Sequence, residues 1–113
     1  MASSCSPTIE RRDHFRADVL LPVACWGQAD HVPTRLHEML VNISGSGMRL
    51  TSSHPFALGD TVSLRIGLPD GTVPALAQVV RVSPDRDASQ VSMQFTAIGT
   101  QDQERLVQYI FAQ

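Results

Sequence analysis

Two short runs carry the side chains best suited to chemistry: Arg11-Arg12-Asp13-His14-Phe15-Arg16 and Asn42-Ile43-Ser44-Gly45-Ser46-Gly47. The first packs three guanidinium groups into six residues. The second is a small polar turn with two serine hydroxyls, and 25 residues separate Arg16 from Asn42. A guanidinium is a planar, permanently charged fork that pairs with the O6 and N7 of guanine, grips two phosphate oxygens, or stacks on a base. A turn of Asn, Ser and Gly brings an amide, hydroxyls and closely approaching backbone N–H groups to the same ligand, in the manner of an anion-binding nest. Together the runs offer what a guanine nucleotide with phosphates requires. A charge-assisted hydrogen bond contributes about 1.5–3 kcal/mol, so loss of one arginine is expected to weaken binding by about ten- to a hundred-fold.

Plainer readings exist for each run taken singly. The arginines could form a solvated basic arm balanced by Glu10, Asp13 and Asp18, since surface charge by itself argues for little. The polar turn must in any case reverse the chain. It is the pairing, in this order, that carries the inference.

The elements that would position these runs read as short strands. Residues 1–8 form an expected flexible arm. Asp18 to Trp26 is apolar and β-prone, with Val19, Leu21, Val23 and Cys25 on one face. Pro22 within it predicts an edge or a bulge, because proline lacks a ladder donor. Leu36 to Asn42 and Met48 to Ser52 read as strands flanking the Ser44–Gly47 reversal, where glycine is expected to take positive φ. Thr61 to Ile66 alternates cleanly, Pro69-Asp70-Gly71 signals a turn, Pro74 to Ser83 reads as a longer strand, and Val91 to Phe95 alternates again after a charged turn over Pro84 to Ser89. Short strands at this spacing predict an all-β antiparallel barrel or sandwich. The period then changes: Thr100-Gln101-Asp102-Gln103 has the form of a capping box. Leu106, Val107, Ile110 and Phe111 recur at helical spacing, predicting one amphipathic helix over Gln101 to Ala112 that closes the core.

Composition limits the function classes. The chain has 113 residues, which suits one domain. Its formal net charge is −2 and its aromatic content 5%, both against a barrel that tracks DNA or single-stranded RNA through a basic groove with aromatic platforms. Basic charge is local instead, which suits a small anion. Every basic side chain other than histidine is an arginine. The histidines and the two cysteines, Cys5 and Cys25, lack zinc-ligand spacing and form no disulfide framework. Asn42-Ile43-Ser44 matches an N-glycosylation acceptor, but no apolar signal segment precedes it, and no stretch is long enough to span a membrane. A cytoplasmic location is therefore expected. No catalytic triad order or Walker-type loop stands out, so the chain does not read as an enzyme, and no cofactor or metal is expected.

The two runs resemble the PilZ domain, whose cyclic-di-GMP-binding members carry RxxxR followed by (D/N)xSxxG. Arg12 to Arg16 and Asn42 to Gly47 complete both motifs, and the likeness extends over residues 9–113. The resemblance implies a small six-stranded antiparallel β-barrel with a C-terminal α-helix, the arginine segment lying across its mouth. It implies that Arg12 and Arg16 contact guanine and phosphate, that Asn42 and Ser44 hold the other side of the nucleotide, and that Gly47 keeps the turn in shape. Asn42 stands where aspartate is commoner, which implies somewhat weaker binding. Arg11, just ahead of the motif, implies two intercalated ligands, and Arg81 is similar to a strand position that reaches the ligand. The function so implied is a receptor that orders its arginine arm on cyclic-di-GMP and is read by a partner protein of motility, pilus or exopolysaccharide machinery. An adaptor of the same fold that binds no nucleotide is the alternative.

Overall fold

Side chains that alternate inward and outward close a six-stranded antiparallel barrel in this computed structural model, which describes residues 15–113. The strands are β1 (Ala17–Gly27), β2 (His37–Ile43), β3 (Gly47–Ser52), β4 (Thr61–Leu68), β5 (Gly71–Asp85) and β6 (Ala88–Ile98); the helix α1 (Thr100–Phe111) follows. Around the barrel their order is β1-β2-β3-β6-β5-β4, and β4 closes back on β1. The expected arm over residues 1–8, together with Arg11 and Arg12, lies outside the described residues.

Period-2 alternation explains the core. Val62, Leu64 and Ile66 on β4 and Val73, Ala75, Ala77 and Val79 on β5 all point inward and are buried. They meet Val23, Ile43 and Met48 from the other side of the barrel. Closure requires strands long enough to change partners. β1 pairs with β2 from Ala17 to Val23 and with β4 from Val23 to Gly27. Pro22 sits where this exchange occurs: it faces Glu38 on β2, and the β4 ladder begins one residue later. The strand therefore has an edge at the proline, and no bulge is needed. Pro74 follows the same logic, paired with Arg65 on β4 while the β6 ladder starts at Ala75.

Some boundaries differ from the sequence reading. The residues from Pro84 to Ser89 are mostly ladder: Pro84 pairs with Ser89 and Asp85 with Ala88, leaving a two-residue turn in which Arg86 has φ 58°. A bulge between Val79 and Arg81 puts Val80 and Arg81 both outside and returns Val82 toward the core.

The helix closes the core through Leu106 and Ile110. Its start departs from a capping box. Gly99 is the N-cap, and no side chain caps the first turn. The Gln103 amide instead donates to the carbonyl of Gly45 at 2.8 Å. A tertiary acceptor has taken the side chain that the local pattern assigned to the cap. Phe111, expected in the core stripe, is half exposed and stacks on Phe15 with centroids 4.8 Å apart and planes 6° from parallel. Among the described residues no helix is long and apolar enough to cross a membrane.

Candidate functional site

The two runs meet. Arg16 leads directly into β1, and the antiparallel β1–β2 register puts Asp18 opposite Asn42 at the far end of β2. The Arg16 guanidinium lies across that end. Its Nε donates to Asn42 Oδ1, NH2 to the Asn42 carbonyl at 3.3 Å and NH1 to Ser44 Oγ at 3.3 Å. Asn42 in turn donates from Nδ2 to Asp18 Oδ1 at 2.9 Å. The amide thus joins a cation on one side to a carboxylate on the other, which an aspartate in its place has no donor to do.

Ser44 is fully buried. Its Oγ accepts the backbone N–H of Ser46 and of Gly47, both at 3.2 Å, and its own N–H donates to the Gly47 carbonyl at 2.9 Å. The hydroxyl therefore shapes the turn from within and anchors Arg16. Part of the expected backbone nest is engaged within the turn itself: the amides of Ser44, Ser46 and Gly47 all bond inside it. The expected positive φ is not needed; among the described residues it occurs at Gly59, Gly71 and Arg86. Gly47 is required for another reason. A Cβ there would lie 2.3 Å from the carbonyl oxygen of Met93 on the adjoining β6, with which Gly47 is paired through Gln94.

The helix supports both runs. Gln103 holds the turn at Gly45, and Phe111 holds the arginine segment at Phe15. Beside the turn lies a hollow of about 370 Å³ whose lining includes Arg16, Ser46, Gly47, Arg49, Ser92 and Gln94. Burial pushes the Arg16 guanidinium below its ordinary value; the nearby positive charge of Arg49 acts in the same direction, and Asp18 opposes them.

Arg81 does not line this hollow. It is exposed on β5, paired with Ser92 of β6, which does. Arg49 was not singled out from sequence: one arginine in an alternating strand resembles any solvent-facing cation, and only the register brings it opposite Asn42 on one side and Ser92 on the other. A larger hollow, about 790 Å³, lies elsewhere against Trp26, Arg65, Leu76, Ile98 and Asp102 and contains no residue of either motif. Its charged groups are engaged, Arg65 over the Trp26 ring at 5.3 Å and Asp102 with Arg105 at 2.8 Å. Among the described residues no group of three or more His, Cys, Asp or Glu side chains could hold a metal ion.

Comparison with known proteins agrees with this architecture. The family profile of the PilZ domain matches residues 10–112. Among solved structures, the Bacillus subtilis inhibitor of motility, MotI/DgrA, superposes with a TM-score of 0.70 at 23% identity, covering 87% of this chain and 48% of that one. The present chain thus spans about half the length of that protein. A Xanthomonas campestris pathogenic protein, described as a tetrameric PilZ domain self-assembled through a helical bundle, superposes with a TM-score of 0.70 at 18% identity, covering 97% of this chain and 95% of that one. No match was found among curated protein sequences. The barrel, its closing helix and the convergence of Arg16 on Asn42 and Ser44 accompany a profile match over nearly the whole chain, and the chain belongs to the PilZ domain family.

Proposed function

We propose that the chain is a cyclic-di-GMP receptor that couples the level of this second messenger to a partner protein. The observation that carries the reading is the joining of the two motifs: Arg16 is hydrogen-bonded to Asn42 and Ser44 at the rim of a cation-lined hollow. A guanidinium held by neutral acceptors keeps its full charge for an anionic ligand. In this reading Arg11, Arg12 and Arg16 fork onto guanine and phosphate. Asn42 and Ser44 fix the Arg16 end of the site, Gly47 lets β3 and β6 approach beneath it, and Arg81 extends the cationic face along β5. Ligand binding orders the arginine segment against the barrel, and the altered surface is what a partner recognises. That MotI/DgrA is an inhibitor of motility supports motility machinery as one class of partner.

Equilibrium dialysis against cyclic-di-GMP, with cyclic-di-AMP and GTP as competitors, tests the reading. Retention of cyclic-di-GMP alone supports a guanine-specific cyclic dinucleotide site. A bound ratio near two supports an intercalated pair served by Arg11, and a ratio near one removes that role. Retention of no nucleotide rejects the receptor reading and leaves an adaptor of the same fold.

A further inference from the structure

Five side chains stand in one cross-strand row on the outside of the barrel. Asp18 on β1 faces Asn42 on β2; Asn42 faces Arg49 on β3; Arg49 faces Ser92 on β6; Ser92 faces Arg81 on β5. Neighbouring strands lie about 4.8 Å apart, so Arg49 and Ser92 are immediate neighbours.

The charges along the row are uneven. Asp18 is joined to Asn42, and Asn42 to Arg16. Arg49 is exposed and has no carboxylate or hydrogen-bond partner among the described residues. It lines the 370 Å³ hollow together with Arg16, and its charge acts on the Arg16 guanidinium. Two guanidinium groups lining one hollow repel each other, and a surface cation ordinarily finds a carboxylate or open water. The hollow they share is also lined by the polar side chains of Ser46, Ser92 and Gln94 and by Gly47, which has no side chain. The group that satisfies two forked cations and a hydroxyl donor at once is a tetrahedral oxyanion with two free oxygens.

We infer that Arg49 is a phosphate-binding residue, and that Arg16, Arg49 and Ser92 together form the subsite for one phosphodiester of the bound nucleotide. The inference rests on the receptor reading above and adds to it a cation that neither motif contains. Arg49 also distinguishes two ways of using Arg16. If Arg16 alone held the phosphate, removing Arg49 would relieve repulsion and leave binding unchanged or tighter. If both hold it, removing Arg49 weakens binding and makes it less sensitive to salt.

The test measures cyclic-di-GMP affinity at low and raised salt for wild type, Arg49→Ala, Arg49→Met and Arg65→Ala. Met keeps the aliphatic stem while losing the charge, and Arg65 lies over Trp26 away from the site. We expect both Arg49 variants to bind about 10- to 100-fold more weakly with a shallower salt dependence, and Arg65→Ala to match wild type. Wild-type affinity in Arg49→Met overturns the inference and leaves the receptor reading standing, whatever Arg49→Ala does. An equal loss in Arg65→Ala also overturns it, because a general charge effect would then suffice. Absence of binding by wild type overturns both.

Discussion

Asn42 and Asp18 stand directly opposite each other on β2 and β1, and Nδ2 of Asn42 donates to Oδ1 of Asp18 at 2.9 Å. The amide in the second motif is thereby matched to a carboxylate in the strand beside it. Replacing it with aspartate keeps the acceptor for Arg16 but opposes two carboxylates across the strand pair. Like charges directly opposite are destabilising, and the hydrogen bond is lost as well. Asn42→Asp is expected to lower stability by about 1 kcal/mol at neutral pH. Urea denaturation should find that difference smaller at high salt, where the repulsion is screened.

At Gly47, β3 lies close against the backbone of β6. Adding a methyl would bring a carbon to 2.3 Å from the Met93 carbonyl oxygen, which is backbone and cannot swing aside. Gly47→Ala is expected to cost about 1–3 kcal/mol through forced strand displacement. Chemical denaturation measures it, and a neutral result would mean that the two strands separate easily.

Gln103 ties the helix to the turn through one bond to the Gly45 carbonyl at 2.8 Å. Gln103→Ala should destabilise by about 1 kcal/mol. In hydrogen exchange, faster exchange should centre on the Ser46 and Gly47 amides, which the Ser44 hydroxyl otherwise holds. Exchange that quickens only within α1 would separate the helix from the turn.

Much of this arrangement is legible in the residues, and three of the exceptions share one cause. Val62, Leu64 and Ile66 alternate and are buried, and Leu106, Val107 and Ile110 recur at helical spacing and are buried. Burial imposes those periods, so sequence reveals them. Gln103, Phe111 and Arg49 were misread or passed over because their partners are remote in the chain: Gly45, Phe15 and Ser92. Local pattern cannot show that a capping glutamine will find a carbonyl 58 positions away. Nor can it show that an ordinary outward arginine lies between Asn42 of the second motif and Ser92. The charged run after Pro84 misleads in the other direction, since a hairpin turn needs only two residues and the ladder continues through the rest.

Arg105 donates to Asp70 at 2.9 Å and also reaches Asp102 at 2.8 Å and the Gly71 carbonyl at 3.0 Å. Its hydrogen bond holds the Asp70 carboxyl below the ordinary carboxylate range. A carboxyl depressed in the folded state stabilises fully above its unfolded pKa, near about 4, and that stabilisation is lost as pH falls through the lower folded value. Arg105→Ala should therefore melt below wild type at neutral pH, with the gap narrowing on acidification toward pH 3. Thermal melts across that range decide it; a gap constant with pH would assign the whole effect to the contacts with the Gly71 carbonyl and the helix.

The proposed receptor requires the two motifs to act as one ligand site, with Arg16 at their junction. Calorimetric titration of cyclic-di-GMP into wild type and into Arg16→Ala, at one defined salt concentration, tests that requirement. We expect saturable binding by wild type, weakened about ten- to a hundred-fold or more in the variant. Binding of equal strength in both proteins, or none by wild type, would contradict it.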